Sequence, residues 1–320
     1  MWSAVTLWLV NLAALLFYAA LAARGVAAGA SLAPWLLGAP LLYFAVILFL
    51  CAVYFALAWI WRAPRPPGVR IGWRATLRLA WREYATLAGA APRMMLYRLL
   101  VREQAPAHAE TPVLLLHGVL CNAGVFARLA RFLGRAGVAG VYNLSYGPPL
   151  ASIELFADQL AGKIDAIVAA TGARGVIVVS HSMGGLVVRA YLRRYGSGRL
   201  ARVLTLGAPH HGSVHAWLFP GTSLAQLRPG NAWLATLDEQ RIDPALRFVS
   251  LWSWHDSMVA PQTSSRLPGA VDVALTGIGH NALLGDDEVF ARVLTEIEAE
   301  RAGRAPREHA PGVPTSGSPA

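Results

Sequence analysis

Charge is almost missing from the first 61 residues of this 320-residue chain, where Arg24 is the single charged side chain. That absence argues against an ordinary soluble N-terminal region, because a buried helical hairpin would have to hide some sixty nearly uncharged residues on every face. Residues 2–23 and 35–61 are each long enough to cross a hydrocarbon layer of roughly 30 Å as a helix, so residues 1–61 read as a two-helix transmembrane anchor. A basic start is missing too: Trp2-Ser3-Ala4 carries no positive side chain, which argues against a cleaved signal peptide. Trp2, Trp35, Trp59 and Trp61 stand at or near the ends of the two runs, where amphipathic rings favour the membrane interface. Hydrophobic residues make up 55% of the chain, and this excess over a typical soluble protein is concentrated near the N-terminus.

Cysteine is nearly absent as well. Cys51 falls within the second apolar run and Cys121 in a distant loop, so neither a disulfide framework nor metal-ligand spacing is present, and no metal is expected. The count fits a reducing compartment.

Acidic residues are few just beyond the spans, where residues 62–104 hold nine arginines against two glutamates. Arg62, Arg65, Arg70, Arg74 and Arg78 follow the second span closely, so the positive-inside rule puts that end, and with two spans the N-terminus, in the cytoplasm. The same arginines can hold the segment against anionic headgroups. No recognition motif accompanies the charge, and a nucleic-acid partner is not expected.

Pro64-Arg65-Pro66-Pro67-Gly68 ends the second span and begins a linker. Residues 73–100 place apolar side chains at helical intervals among arginines and read as a basic amphipathic helix lying near the membrane, within a juxtamembrane region of residues 62–111. From residue 112 short Val/Leu/Ile runs alternate with helical segments, the pattern of a mostly parallel sheet covered by helices on both faces. The expected strands are Val113–Leu116, 140–144, 176–180, 202–206, 248–252 and Val271–Leu275, with helices over 126–134, 153–169, 186–195 and 287–299. The domain should cover residues 112–300. Residues 213–245 break the period and carry Trp217, Leu218, Phe219 and Trp233, which reads as a cap over an apolar site or as a helix pair packed on the core. Residues 301–320 are rich in Pro, Gly, Ser and Ala and are expected to be a disordered tail.

The stretch with the most chemistry is Ser180-His181-Ser182-Met183-Gly184-Gly185, between a strand and a helix. A serine held in a strained turn with its hydroxyl at the sheet edge makes a nucleophile elbow, which needs small residues two positions away on either side. Gly184 satisfies this, and Ser180 stands where the G-x-S-x-G pattern has glycine. A serine hydroxyl needs a base, and the base needs a carboxylate. Asp256 follows the strand at 248–252 and His280 follows Val271–Leu275, in the chain order Ser, Asp, His. His210, His211 and His215 precede the acid, His255 sits beside it, and Asp243 and Asp272 read as turn or strand-end residues, so Ser182, Asp256 and His280 form the expected triad. Two backbone amides should face the oxyanion: Met183, after the nucleophile, and Val119, after the permissive Gly118. His117 is expected to be structural.

The His117-Gly118 loop, the elbow, Gly207-Ala208-Pro209-His210-His211-Gly212-Ser213, Asp256 and Gly279-His280 together resemble bacterial lipases and esterases of the alpha/beta-hydrolase superfamily over roughly residues 112–300. The resemblance implies the alpha/beta-hydrolase fold, here preceded by two transmembrane helices, and carboxylester hydrolysis on a lipid or other acyl-ester substrate, with no organic cofactor. The two spans lie outside that resemblance; with the arginines that follow them, the expected location is a bacterial inner membrane with the catalytic domain on the cytoplasmic side. Some lipases of this kind hold a structural calcium ion, but no ligand set can be matched, and Asp286 and Asp287 stay unassigned. Phospholipid or thioester deacylation and acyl transfer use the same site. A non-catalytic lipid-binding membrane scaffold is the alternative of another class.

Overall fold

The computed structural model describes residues 2–102 and 111–303; most of the expected tail and the end of the basic linker lie outside the described residues. Two long helices come first, α1 (Trp2–Ala27) and α2 (Ala33–Ile60). Both are long and apolar enough to cross a membrane, and Leu9, Phe17, Leu36 and Phe49 stand more than half exposed on them. They meet where the Tyr18 hydroxyl donates to the Trp35 carbonyl at 2.8 Å.

Residues 73–100 do not form one helix. The segment folds as α3 (Trp73–Ala88), α4 (Ala90–Met95) and α5 (Tyr97–Leu100). Pro92 has no N–H to offer the Ala88 carbonyl, which accepts from the Tyr43 hydroxyl of α2 at 2.6 Å instead. Nor does α3 merely accompany the apolar pair. Trp73, Leu77 and Trp81 form an exposed stripe at four-residue spacing, while Leu79 and Glu83 on the opposite side are buried against the rest of the chain.

The remainder contains six strands: β1 (Val113–Leu116), β2 (Val141–Leu144), β3 (Val176–His181), β4 (Leu200–Leu206), β5 (Arg247–Ser253) and β6 (Val271–Leu275). They form one parallel sheet in the order β2-β1-β3-β4-β5-β6. The helices are α6 (Ala127–Arg135), α7 (Ile153–Thr171), α8 (Gly184–Tyr195), α9 (Thr222–Gln226), α10 (Ala232–Asp238) and α11 (Asp287–Arg301). The period-two alternation of a strand explains how the sheet is covered on both faces. Leu114, Leu116, Val176 and Val178 pack with Ile153, Phe156, Leu160 and Leu186 of α7 and α8. Their neighbours Val113, Leu115, Ile177 and Val179 pack with Leu129, Leu133, Phe290 and Val293 of α6 and α11.

Strand order reverses between β1 and β3. Loops leaving the carboxyl ends of these two strands diverge to opposite sides and open a crevice, the usual ligand position in such sheets. Asp286, unassigned from sequence, caps α11 by accepting from the Glu288 and Val289 amides and pairs with Arg82 of α3 at 2.6 Å. In residues 213–245, Leu224, Leu227, Leu234 and Leu237 are buried in the core while Trp217, Leu218 and Phe219 stay exposed.

Candidate active site

The sequence places a serine between a fully buried strand, β3, and α8, and the backbone there has to turn sharply. Ser182 sits at φ +56°, the left-handed region that costs a side-chain-bearing residue about 1–3 kcal/mol and that clusters at functional sites. The turn is held by the Ser182 amide donating to the Leu206 carbonyl at 2.9 Å and the Gly185 amide donating to the Ser182 carbonyl at 3.0 Å. Close packing explains the small neighbours. A Cβ on Gly184 would lie 2.7 Å from both the Leu116 and His117 carbonyl oxygens. Ser180 is fully buried and fits, its hydroxyl donating to the Leu204 carbonyl at 3.3 Å.

At the ends of β5 and β6, Asp256 and His280 come together as expected from their order. His280 Nδ1 donates to Asp256 Oδ2 at 2.9 Å, which leaves Nε2 as the nitrogen free to take a proton. The other carboxylate oxygen of Asp256 accepts from the Met258 and Val259 amides at 2.8 and 2.7 Å, so the acid is fixed on both sides. Burial pushes the His280 pKa down, but the charge and hydrogen bond of Asp256, aided by the charge of Glu83, outweigh it and raise it. Gly207 makes room for the pair. It adopts φ +57°, and a Cβ there would lie 3.1 Å from Asp256 Oδ2 and 3.2 Å from His280 Nδ1.

The loop after β1 presses on Ser182. A Cβ on Gly118 would sit 2.8 Å from Ser182 Cβ and 3.3 Å from its Oγ, so only glycine lets the backbone come this close. Val119 follows Gly118, and Met183 follows Ser182 at the start of α8. Among the described residues, neither amide donates to a protein acceptor. His117 is buried, with Nδ1 2.8 Å from the Gly118 carbonyl and its ring stacked on Tyr146 at 4.1 Å. Burial drives its pKa to about 4, so it is a neutral packing group, as its position in the sequence implies.

Ser182 and His280 line one cavity of about 230 Å³ together with His181, Gly118 and Val119. Leu218, Phe219, Leu224 and Met258 supply apolar wall, so the segment after Gly212 contributes both to the core and to the edge of this cavity. Tyr54 of α2, Leu87 of α3, and Ala90 and Arg93 of α4 complete it, which composition and hydropathy gave no means to foresee. The His215 ring joins the two halves: Nε2 is 3.1 Å from the Tyr54 carbonyl and the two rings meet edge-on at 5.9 Å. His210 and His211 lie elsewhere. His210 contacts Thr205 and His211 pairs with Asp238.

Two side chains near His280 were missed in the sequence reading. His181, buried behind the elbow, lies 3.2 Å by Nε2 from the His280 carbonyl; burial and the charge of His280 keep it neutral, so Nε2–H donates. Glu83 of α3 is the larger omission. Its carboxylate accepts from Ser257 Oγ at 2.6 Å, from the Asn281 amide at 3.0 Å and side chain at 2.8 Å, and from the Ala282 amide at 2.9 Å. The loop carrying His280 is therefore clamped by a residue more than 170 positions away. The available signal was a single glutamate on the face of α3 opposite Trp73, Leu77 and Trp81.

Comparison with known proteins agrees with this architecture. Residues 111–285 match the family model described as alpha/beta hydrolase fold. The mature form of a lipase from Bacillus licheniformis is similar at 20% identity, covering 62% of this chain and 96% of its own, with a TM-score of 0.53. Lipase B from Aspergillus fumigatus is similar at 21% identity, covering 64% of this chain and 57% of its own, with a TM-score of 0.55.

Proposed function

Since the chain belongs to the alpha/beta hydrolase fold family, we propose that it is a membrane-anchored serine carboxylester hydrolase, a lipase or esterase acting on acyl esters with apolar chains. The observation that carries this reading is a strained serine at φ +56° in one cavity with a buried histidine bonded to a fixed carboxylate. Ser182 Oγ attacks the ester carbonyl as His280 Nε2 takes its proton, and Asp256 holds the imidazole and stabilises its cationic form. The Val119 and Met183 amides donate to the oxyanion, a contribution of a few kcal/mol for each donor in comparable sites. His280 then protonates the leaving alcohol. Water activated by the same nitrogen releases the acyl group from Ser182.

Support for an apolar substrate comes from the cavity wall and from the exposed Leu218 and Phe219 at its edge. Anchoring is supported by α1 and α2, whose exposed apolar surface has no role in a water-soluble protein. The positive-inside rule puts the catalytic domain on the cytoplasmic side of a bacterial inner membrane. A reporter fused to the C-terminus that is active only in the periplasm should then be silent, and a strong signal would reverse the orientation.

Among other leaving groups, a phospholipid is favoured by Arg93. This guanidinium lines the cavity and donates to the Thr86 carbonyl at 2.6 Å, while its Nε is buried without a partner among the described residues. An acyl-ester panel of rising chain length, run with and without a phosphate headgroup on wild type and Ser182→Ala, tests the whole reading. Loss of turnover and of fluorophosphonate labelling in Ser182→Ala is expected. Unchanged turnover in that variant would reject the mechanism.

A further inference from the structure

A second cavity, of about 900 Å³, lies between the end of α2, the linker that follows it and the loop carrying Asp256. Its charge is one-sided. Arg62, Arg65 and Arg70 line it, and among the described residues none of the three pairs with a carboxylate. Asp256 is the one acidic residue in the wall, and both of its oxygens are already committed to His280 and to the Met258 and Val259 amides.

The polar atoms left over are donors. Arg65 Nε is buried and has no partner among the described residues, and both burial and the neighbouring Arg62 work against its charge. Arg62 is held at the end of α2 by donating to the Trp59 carbonyl at 2.8 Å and lying over the Trp59 ring at 3.9 Å. His255, 3% exposed, also lines the cavity. Its Nδ1 accepts from the Gly277 amide at 3.1 Å, and burial drives its pKa to about 4. The ring is therefore neutral with its proton on Nε2, and that N–H is buried without an acceptor among the described residues. A cavity walled by three guanidiniums that no carboxylate pairs among the described residues, and by a histidine with an unspent ring donor, is built for an anion with several acceptor oxygens.

We propose that this cavity binds a phosphate group, held by Arg62, Arg65 and Arg70 with His255 Nε2–H as a further donor. Its place at the last turn of an apolar helix of membrane length points to the headgroup of an anionic phospholipid as the source, with free phosphate carrying the same chemistry. The site is distinct from the catalytic cavity and does not depend on turnover. Because His255 and Asp256 are adjacent, an occupant would touch the loop that holds the catalytic acid.

The test uses the full chain carrying Ser182→Ala in an uncharged detergent, so that no probe is consumed and the outcome is independent of the catalytic reading. Binding of a diether phosphatidylglycerol, a diether phosphatidylcholine and inorganic phosphate is measured by native mass spectrometry and by the rise in melting temperature. Phosphatidylglycerol is expected to bind more tightly than phosphatidylcholine, and the added changes Arg65→Gln and Arg70→Gln together should weaken it about tenfold or more. Arg74→Gln, outside the cavity, should leave it unchanged. Equal affinity for inorganic phosphate would keep the site and assign it to the free anion. Arg70→Gln alone, at an exposed side chain, guards against a folding failure in the pair of changes. Binding that neither variant weakens, or no binding of either anion, would overturn the proposal.

Discussion

The carboxylate of Glu83 accepts from both the backbone amide and the side chain of Asn281, the residue directly after His280. An α3 residue outside the span that matches the family model thus fixes the loop on which the proposed base stands. Gly279, just before His280, has no room for a side chain because a Cβ there would run into Glu83.

Replacing this acceptor should therefore misplace the base. Glu83→Gln turns an acceptor oxygen into a donor amide facing N–H groups, and kcat should fall by roughly tenfold to 10²-fold with little change in KM. Loss of its negative charge should also lower the pH midpoint of activity, since that charge helps to raise the His280 pKa. Glu83→Asp, which keeps the charge, should restore part of the midpoint. A purely structural role would lower stability and leave the midpoint in place.

The pH dependence itself has a definite sign. As the proposed base, His280 must be neutral, and Asp256 and Glu83 hold its pKa above the ordinary 6.5. For a soluble ester, kcat/KM should be lost as pH falls through that raised value. In Asp256→Asn the midpoint should move down and the maximal rate should drop by about 10⁴-fold, as for other triads that lose their acid.

Gly118→Ala tests the pressure of the β1 loop on the nucleophile. With the added Cβ 2.8 Å from Ser182 Cβ, the loop must retreat and carry the Val119 amide with it. Rates should fall on the order of 10²-fold, the scale seen for removal of one oxyanion donor. Circular dichroism should remain that of the wild type.

Ser180→Gly returns the elbow to the common pattern. It deletes one buried hydrogen bond to Leu204 and frees the backbone of β3, which should cost about 1 kcal/mol of stability and leave turnover near wild type. A collapse of turnover would show that the serine side chain shapes the turn.

Phe219→Asp probes the cavity edge. Phe219 is 44% exposed and lines the cavity, so on an ester presented in vesicles it can bury apolar surface against the lipid. Losing that contact, roughly 1.5–3 kcal/mol for a full Phe, should cut vesicle hydrolysis about tenfold or more while sparing a soluble short-chain ester.

The sheet was legible because its signal is local. Runs such as Val176 to Val179 are buried on both faces, and every expected strand appears within two residues of its expected bounds. Ser182, Asp256 and His280 were legible for a related reason: each follows a strand, and chain order fixes which strand ends meet. Glu83 and Tyr54 were not, because their roles arise from packing between segments far apart in sequence, which neither period nor motif encodes. The break within residues 73–100 is marked in the sequence by Pro92, a signal that the helical spacing of the leucines and tryptophans hides.

The bond between His215 and the Tyr54 carbonyl, and the pair that Gln262 makes with the Ala58 carbonyl at 3.4 Å and the Ala63 amide at 3.1 Å, bear on where this chain can be cut. A fragment beginning at residue 111 would retain every strand among the described residues yet lose Glu83, one side of the cavity that Ser182 and His280 line, and the backbone groups that these two side chains grip. The smallest unit worth expressing therefore starts within α2, at or before Tyr54.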